Sequence, residues 1–518
     1  MEYKIIHQDH PYIKIPFSIE SYFWHGWQSW SLAAWASPTS LPIPCPDLLH
    51  PMQTDPLYVK ETKPHGSWFG AVRGNREEVS LLGALNLGTH VRLDGNYLEG
   101  ISEVGEVDWL VAQGEEQELF NLYSQLLWDR FGKPEHKRIP RVWCSWYSLN
   151  QGIDEILLHQ IFEALQDYPF DVYQVDDGWQ VKVGDWRANA RFPSGMKALA
   201  EFIHHKGKKA GLWLAPFLAV KSSDLFKDHP SWFIKDEKGG FISAGFNFGE
   251  QLYALDTTHP EVLDWLHGLM SQVRQWGFDY VKLDFLYAAA LPGKRYQEIP
   301  REMAYRRGLK AIRQSLGKEI YLLACGAPIF PSLGLCDALR IGPDVSGEWE
   351  TTRDAILLAN PAIPGLRNAI RTSLHRLWLT PLVTPDPDVV YFSQTKNTLS
   401  EPQKQLMRDL AYICNFRATS ELPHWLSTEQ RNSLKEFLTV NPHIRNLGNY
   451  TYMINSRLVD FSSVIELPPT MRGIKDAARR IFCWLANHTW ALKLIFWQTK
   501  RAAENERQKA LAYYQNKE

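Results

Sequence analysis

Apolar and polar positions follow three successive rhythms along the chain. Residues 1–115 carry short extended runs, Tyr12 to Phe17, Ser67 to Val72 and Val79 to Leu87, separated by Gly, Pro and Asn turns. This predicts a small all-β domain. Glu115 to Phe131 then spaces Leu119, Tyr123, Leu126 and Leu127 as one helical face, a helical linker placed at 116–135. From Arg141 strands and helices alternate. The strand candidates are Arg141 to Tyr147, Asp171 to Val175, Lys209 to Pro216, Phe278 to Phe285, Ile320 to Cys325 and Ala338 to Ile341. Helical spacing fills Asp154 to Gln166, Met196 to His205, Pro260 to Trp276 and Arg301 to Leu316. Two further units fall around Trp378 to Val390 and Ala411 to Thr419, with a helix near Glu401 to Leu410.

About eight β/α repeats over roughly 280 residues match a (β/α)8 TIM barrel, placed at 136–422. A doubly wound sheet has the same order of elements. After Leu422 the rhythm stops, and Asn432 to Leu438, Met471 to Leu485 and Gln498 to Tyr514 predict a mostly helical extension over 423–518. Its run Ile481 to Trp497 is apolar with Arg and Lys at both ends, but Asn487, His488 and Lys493 interrupt it. That favours packing on the barrel or a partner subunit over an interfacial helix. The fold class is therefore α/β: a TIM barrel preceded by a β domain and followed by a helical tail.

One strand departs from its apolar neighbours. In Phe278 to Leu286, alternation puts Tyr280, Lys282 and Asp284 on one face and Val281, Leu283 and Phe285 on the other. An acid and a base on a covered strand are costly unless matched or used in chemistry.

Two other strand ends also carry acids: Val175-Asp176-Asp177-Gly178-Trp179 and Arg340-Ile341-Gly342-Pro343-Asp344. In a barrel these ends share one rim. Two carboxylates facing one cleft are what glycosidic cleavage needs, and a retaining enzyme sets them roughly 5–5.5 Å apart. Lys282 beside Asp284 would favour its ionised, nucleophilic form. Asp344, on a loop, suits an acid/base that changes protonation. Arg340 is expected to aim mainly at substrate, since a cation beside Asp344 would lower its pKa. Asp176 and Asp177 offer paired acceptors for sugar hydroxyls, with Trp179 and Trp213 as walls. Each acid alone also reads as a turn or helix cap, and Lys282 with Asp284 as a structural ion pair. It is the conjunction at one rim that points to a site.

Composition narrows the function class. Lys plus Arg number 56 against 58 Asp plus Glu, a formal charge of -2, so no broad field recruits nucleic acid or an anionic membrane. Six scattered cysteines lack CxxC or zinc spacing and suit reduced, buried thiols. With no signal-peptide pattern at Met1 to His10, the expectation is a cytoplasmic protein. No HxH, HExxH or Ca²⁺-loop pattern supports a metal site. The 21 Trp are many for this length, and several sit beside Gly, Asp or Ser. Indole faces suit sugar rings, although ordinary packing explains most single Trp residues. Trp24-His25-Gly26-Trp27-Gln28-Ser29-Trp30-Ser31 is the densest cluster, followed by a stiff proline-rich stretch, Pro38 to Pro56.

Taken in order, these motifs resemble the α-galactosidases (melibiases) of glycoside hydrolase family 36. The likeness runs through His25 to Ser31, Arg141-Val142-Trp143-Cys144-Ser145-Trp146-Tyr147, Gln174 to Trp179, Gly211-Leu212-Trp213-Leu214-Ala215-Pro216-Phe217 and Lys282 to Phe285. It continues in Cys325-Gly326-Ala327-Pro328, Arg340 to Val345 and Arg367-Asn368-Ala369. The resemblance implies a β-sandwich and a (β/α)8 barrel hydrolysing terminal α-galactosides, such as melibiose or raffinose, with retention and no cofactor. It implies Asp284 as nucleophile, Asp344 as acid/base, Asp176 and Asp177 on the galactose 4- and 6-hydroxyls, and Lys282, Cys325 and Arg340 lining the pocket. Trp146, Trp179 and Trp213 take pocket positions, with Trp27 from the N-terminal cluster closing it.

Ser346-Gly347-Glu348-Trp349 stands where Ala-Pro-Tyr-Trp is usual, Ser420-Glu421 where Ser-Asp is usual, and Pro385-Asp386-Pro387-Asp388 where Asn-Asp-Pro-Asp is common. These departures bear on the aglycone side. A related α-glycosidase, an α-galactosyl transferase and a non-catalytic galactoside-binding protein are the alternative readings. A homo-oligomer is compatible with all of them.

Overall fold

The computed structural model describes residues 1–39, 53–132, 138–350, 362–467, 477–478, 481, 484–485 and 488–515. Most of the proline-rich stretch and of the helix expected over Met471 to Leu485 lies outside these residues.

The N-terminal region forms one ten-stranded, mostly antiparallel sheet, from Glu2–Gln8 to Val107–Gly114. Strand alternation gives each face its own core. In Val79–Ala84, Leu81 joins the main core while Leu82 and Ala84 join a smaller cluster with Val72, Val91 and Trp109. The helix Glu116–Phe131 buries Leu119, Phe120, Tyr123 and Leu127. This i, i+4, i+8 spacing makes one apolar stripe, the face that the sequence pattern predicts.

Eight parallel strands follow: β1 Arg141–Cys144, β2 Val172–Val175, β3 Lys209–Leu214, β4 Tyr280–Leu283, β5 Tyr321–Ala324, β6 Ala338–Arg340, β7 Thr384–Asp386 and β8 Arg417–Thr419. Each pairs with its neighbour from β1 to β7, and β8 pairs with β1. Val390, just past β7, bridges to Thr419 and accounts for the last gap, so the sheet curls into a barrel. Strands β2, β4 and β5 are buried at every position, which explains their mostly apolar runs, broken only by Gln174 and Lys282. Helices such as Pro260–Trp276, Arg301–Leu316 and Glu401–Ile413 cover the outside. Pro260–Trp276 starts on Pro and ends on Gly277 in the left-handed region, two local signals that fix its ends.

The sequence pattern does not foresee three small sheets: the hairpin Gln180–Lys182 with Asp185–Ala188, the set Leu218–Val220, Ser243–Asn247 and Glu250–Ala254, and the meander Ile444–Gly448, Thr451–Ile454 and Arg457–Asp460. The first two are insertions on the rim of β2 and β3. The third puts β structure inside the region expected to be helical. Helices there include Thr428–Thr439 and the long Thr489–Gln515. No described helix is long and apolar enough to cross a membrane.

Candidate active site

The carboxyl ends of the barrel strands surround a cavity of about 210 Å³ lined by Trp30, Trp146, Asp176, Asp177, Trp213, Asn247, Phe248, Lys282, Asp284, Phe285 and Asp344, among others. Parallel strands place these side chains together because every strand ends on the same rim.

Asp284 follows directly on β4. Its backbone N–H bonds to Leu214 O of β3 at 2.8 Å, so the carboxylate is fixed to the sheet. The chain then turns sharply: Phe285 is left-handed (φ 52), a conformation rare for a bulky residue and frequent where strain serves a site. This turn lets the Phe285 N–H donate to Asp284 Oδ1 at 2.9 Å, while the Trp213 indole N–H donates to Oδ2 at 3.0 Å. Gly326, itself at φ 53, makes room for both neighbours: a Cβ there would stand 2.9 Å from the Trp30 ring and 3.0 Å from Phe285 N.

Lys282 lies beside Asp284 on the rim, but its direct partner is Asp176 Oδ2 at 3.0 Å. Burial opposes its charge, and Asp176 and then Asp284 outweigh that, holding the ammonium well above its usual range. Asp176 Oδ2 also receives Gln174 Nε2 at 2.6 Å, and its Oδ1 receives the Asp177 N–H at 3.0 Å. Asp177 accepts one amide N–H on each oxygen, from Gln151 at 2.6 Å and Gln180 at 2.5 Å. Burial pushes Asp177 up to about 6, despite those two amides. Each bound oxygen retains lone pairs for further donors.

Asp344 differs from Asp284. It is enclosed by protein yet keeps 36% of its side-chain surface open, and its one side-chain donor among the described residues is Arg340 Nη1 at 2.9 Å. Burial first, then Asp388, then Asp284 push its carboxyl up to about 7, against the pull of Arg340. A group with that value changes protonation near neutrality, as an acid/base must.

Several expected residues sit elsewhere than the sequence suggests. Trp27 does not line the cavity. It is fully buried under the Arg301 guanidinium, with ring and cation 5.4 Å apart. The turn closed by Ser31 N–H on Gln28 O carries the chain back, so Trp30 is the residue of this cluster that faces the sugar-sized space. The Trp30 indole N–H has no partner among the described residues. Arg340 does not aim into the cavity. Its guanidinium ties Asp386 Oδ2 (2.8 Å), Asp388 Oδ2 (2.8 Å) and Asp344 together. This arises because Arg340 and Asp386 are register partners across β6 and β7. Trp179 is buried behind the wall and donates its indole N–H to Trp213 O at 3.0 Å, steadying the residue that holds Asp284. Cys325 is a buried free thiol, raised by burial and then by nearby Asp284. Trp146, Trp213, Asp176, Asp177, Lys282, Asp284 and Asp344 all reach the cavity.

Sequence reasoning missed Trp30 as the specific cluster residue, Asn247 and Phe248 of the inserted sheet, and the roles of Asp386, Asp388 and Tyr147. The tandem Pro-Asp of residues 385–388 was the available signal for the acids. Nothing local marks Asn247-Phe248, which follow no motif.

The family model for Melibiase matches residues 112–319. The fold is similar to an α-galactosidase from Thermus thermophilus solved with p-nitrophenyl α-D-galactopyranoside: TM-score 0.84, 43% identity, 89% of this chain and 94% of that one. The same enzyme solved with stachyose gives TM-score 0.80 and 44% identity over 84% of this chain and 94% of that one. "Alpha-galactosidase 2" of Pediococcus pentosaceus is 29% identical over 32% of this chain, and the match spans only 24% of that enzyme's length. AgaA from Geobacillus stearothermophilus, a family 36 α-galactosidase, shares the fold at TM-score 0.55 and 16% identity over 83% of this chain and 61% of that one.

Proposed function

The chain belongs to the α-galactosidases of glycoside hydrolase family 36, and from that premise we propose that it hydrolyses terminal α-linked galactose from oligosaccharides by double displacement with retention. The observation that carries the reading is the unequal pair of carboxylates at one cavity. Asp284 is held by two N–H donors, and Asp344 is pushed up to about 7.

In this reading the Asp284 carboxylate attacks the anomeric carbon. The C–O bond to the aglycone breaks with its electron pair going to oxygen, and Asp344 gives its proton to that oxygen. Asp344, now ionised, takes a proton from water. The water oxygen bonds to the anomeric carbon and the Asp284 ester bond breaks, so Asp284 leaves as a carboxylate and galactose keeps its α configuration. Asp177 and Asp176 accept from the sugar hydroxyls, Lys282 holds Asp176 in place through their ion pair, and the Trp146, Trp30 and Phe248 rings enclose the apolar face of the sugar. The substrates read from the neighbours are α-galactosides of the stachyose and raffinose type, which related enzymes were solved with.

Asp284→Gly tests the assignment. Turnover of melibiose and raffinose is expected to fall by at least about 10⁴-fold, the scale set by loss of a catalytic nucleophile. With an aryl α-galactoside, azide should enter the vacated space and yield the β-galactosyl azide. Full activity in this variant, or an α-configured azide product, would end the reading.

A further inference from the structure

Three carboxylates share one guanidinium at the mouth of β6 and β7. Arg340 Nη1 lies 2.9 Å from Asp344 Oδ1 and 2.8 Å from Asp388 Oδ2, and Arg340 Nε lies 2.8 Å from Asp386 Oδ2. One cation against three acids cannot hold all of them ionised in a buried site without strong repulsion. The proton must sit on one of the three, and the donors aimed at each decide which.

Asp388, at ion-pair distance from Arg340 Nη1, receives the Tyr147 hydroxyl and the Val345 N–H (3.0 Å) on Oδ2 and the Val389 N–H (2.9 Å) on Oδ1. Asp386 receives Arg340 Nε on one oxygen and the Asp388 N–H (2.8 Å) on the other. Among the described residues Asp344 receives one side-chain donor, Arg340 Nη1, and shares that nitrogen with Asp388. Hydrogen bonds to the charged form favour it, so the carboxyl with the fewest donors is the one that keeps the proton. Asp388 is held in place at some cost: its backbone is left-handed at φ 84, and its side chain is 1% exposed. Such strain in a non-glycine residue marks a position that the surrounding structure fixes for a purpose.

We propose that Asp388 is the positioning residue that keeps Asp344 protonated for its work as an acid: it competes with Asp344 for Arg340 Nη1 and presents a negative charge to Asp344. The inference rests on Asp344 being the acid/base. Among the described residues, the other charged and titratable groups facing this cluster are Tyr280, Lys282 and Asp284 on and just after β4, Tyr321 and Cys325 on and just after β5, Cys144 and Tyr147 on and just after β1, Tyr391 beyond β7, and Cys414 before β8. Lys282 is committed to Asp176, so Arg340 is the cation whose division between acids sets the proton's place. Coupled carboxylates titrate as a unit, and their macroscopic values belong to the group.

Two variants move the outcome in opposite directions. Asp388→Asn keeps the shape and the acceptor oxygen but removes the charge, leaving Arg340 free to favour ionised Asp344. The alkaline limb of the kcat/KM profile on melibiose is expected to move down by about one pH unit or more, and activity on melibiose at pH 7 to fall roughly tenfold. An aryl α-galactoside with an acidic phenol, which needs little protonation to leave, should lose much less. Tyr147→Phe keeps the charge on Asp388 but removes one of its donors, so the proton is shared more with Asp388. The plateau on melibiose should drop while the alkaline limb stays or moves up. Equal losses on both substrates with unmoved limbs in both variants would reduce Asp388 to a structural role and overturn the inference. If the Asn variant does not fold, the limb and plateau of Tyr147→Phe decide alone. Asp344→Ala separates the premise: undiminished melibiose hydrolysis there removes the acid/base assignment itself, whatever Asp388 does.

Discussion

At the scale of single residues, the two carboxylates proposed for the reaction illustrate how environment sets identical side chains apart. Asp284 ends a strand and is clamped by backbone and indole donors, while Asp344 hangs on a loop among other acids. The raised carboxyl has a consequence for stability. A carboxyl whose folded value is about 7, against roughly 3.9 unfolded, binds more protons in the folded state, so folding free energy from this group falls as pH rises from about 4 to 7. Asp177, pushed to about 6, adds in the same direction over a narrower window. Asp344→Asn should therefore raise the melting temperature relative to the parent at pH 8 and change it little near pH 4, while activity on melibiose is lost. Calorimetric melts across that range check it, and an equal Tm difference at both pH values would contradict it. The acids at the strand ends were legible because apolar strands make them conspicuous. The donors that tune them were not, since Tyr147 and the 345 and 389 amides come from three separate loops. Most of the Trp residues were ambiguous for the same reason: Trp68, Trp109, Trp143 and Trp179 are core, and only contacts across the fold show that Trp30 rather than Trp27 faces the cavity.

At the scale of elements, the barrel strands and their long helices were readable because burial on both faces and amphipathic spacing each write a period into the sequence. The inserted sheets were not. Their strands are three to five residues long, and Asn247-Phe248-Gly249 reads as an ordinary turn. That turn is supported from outside by the last helix. A Cβ on Gly249 would come 3.1 Å from the Phe496 ring, and Gly152, near the Trp146 segment, would meet Ala503 O at 2.3 Å. Arg507 adds ion pairs to Asp154, the N-cap of Glu155–Ala164, and to Glu504. The helix thus spans the loops carrying Trp146 and Phe248, both of which line the cavity. Gly152→Ala should push the helix off this seat, since the obstructing atom is backbone and cannot rotate away. Overpacking of this kind costs about 1–3 kcal/mol. The expected result is faster proteolysis within residues 489–515 and a raised KM for raffinose, with kcat less affected. Unchanged cleavage and KM would show that the helix does not brace the rim.

At the scale of the whole molecule, the β-domain completes the site, because Trp30 reaches the cavity only while residues 26–31 stay docked on the barrel. Three contacts lock that seat. Glu302 accepts the Trp68 indole N–H and the Gly88 N–H (2.7 Å), Arg301 pairs with Asp55 and Glu103, and Arg376 donates to four backbone carbonyls. The Arg376 set is Ser29 O at 2.6 Å, Ile341 O at 3.0 Å, and Gly26 O and Gln28 O at 3.1 Å each. Burial pushes this guanidinium down to about 9, so it remains charged at neutral pH, and among the described residues its hydrogen-bond partners are these carbonyl dipoles. Ile341 belongs to the segment leading from β6 to Asp344, so one side chain ties the Trp30 loop to the loop that carries Asp344. Arg376→Ala leaves four carbonyls without this donor and should cost roughly 3 kcal/mol or more. It should also raise KM for α-galactosides and lower kcat, because both loops lose their common anchor. Trp30→Ala provides the contrast. It removes the ring from the cavity but leaves the Arg376 bonds in place, so KM should rise with a smaller loss of stability and little movement of the pH profile. Urea melts and kinetics on both variants separate a binding wall from a fastening. If Arg376→Ala were as stable as Trp30→Ala, the two domains would be held by the sheet-to-barrel packing and not by this cation.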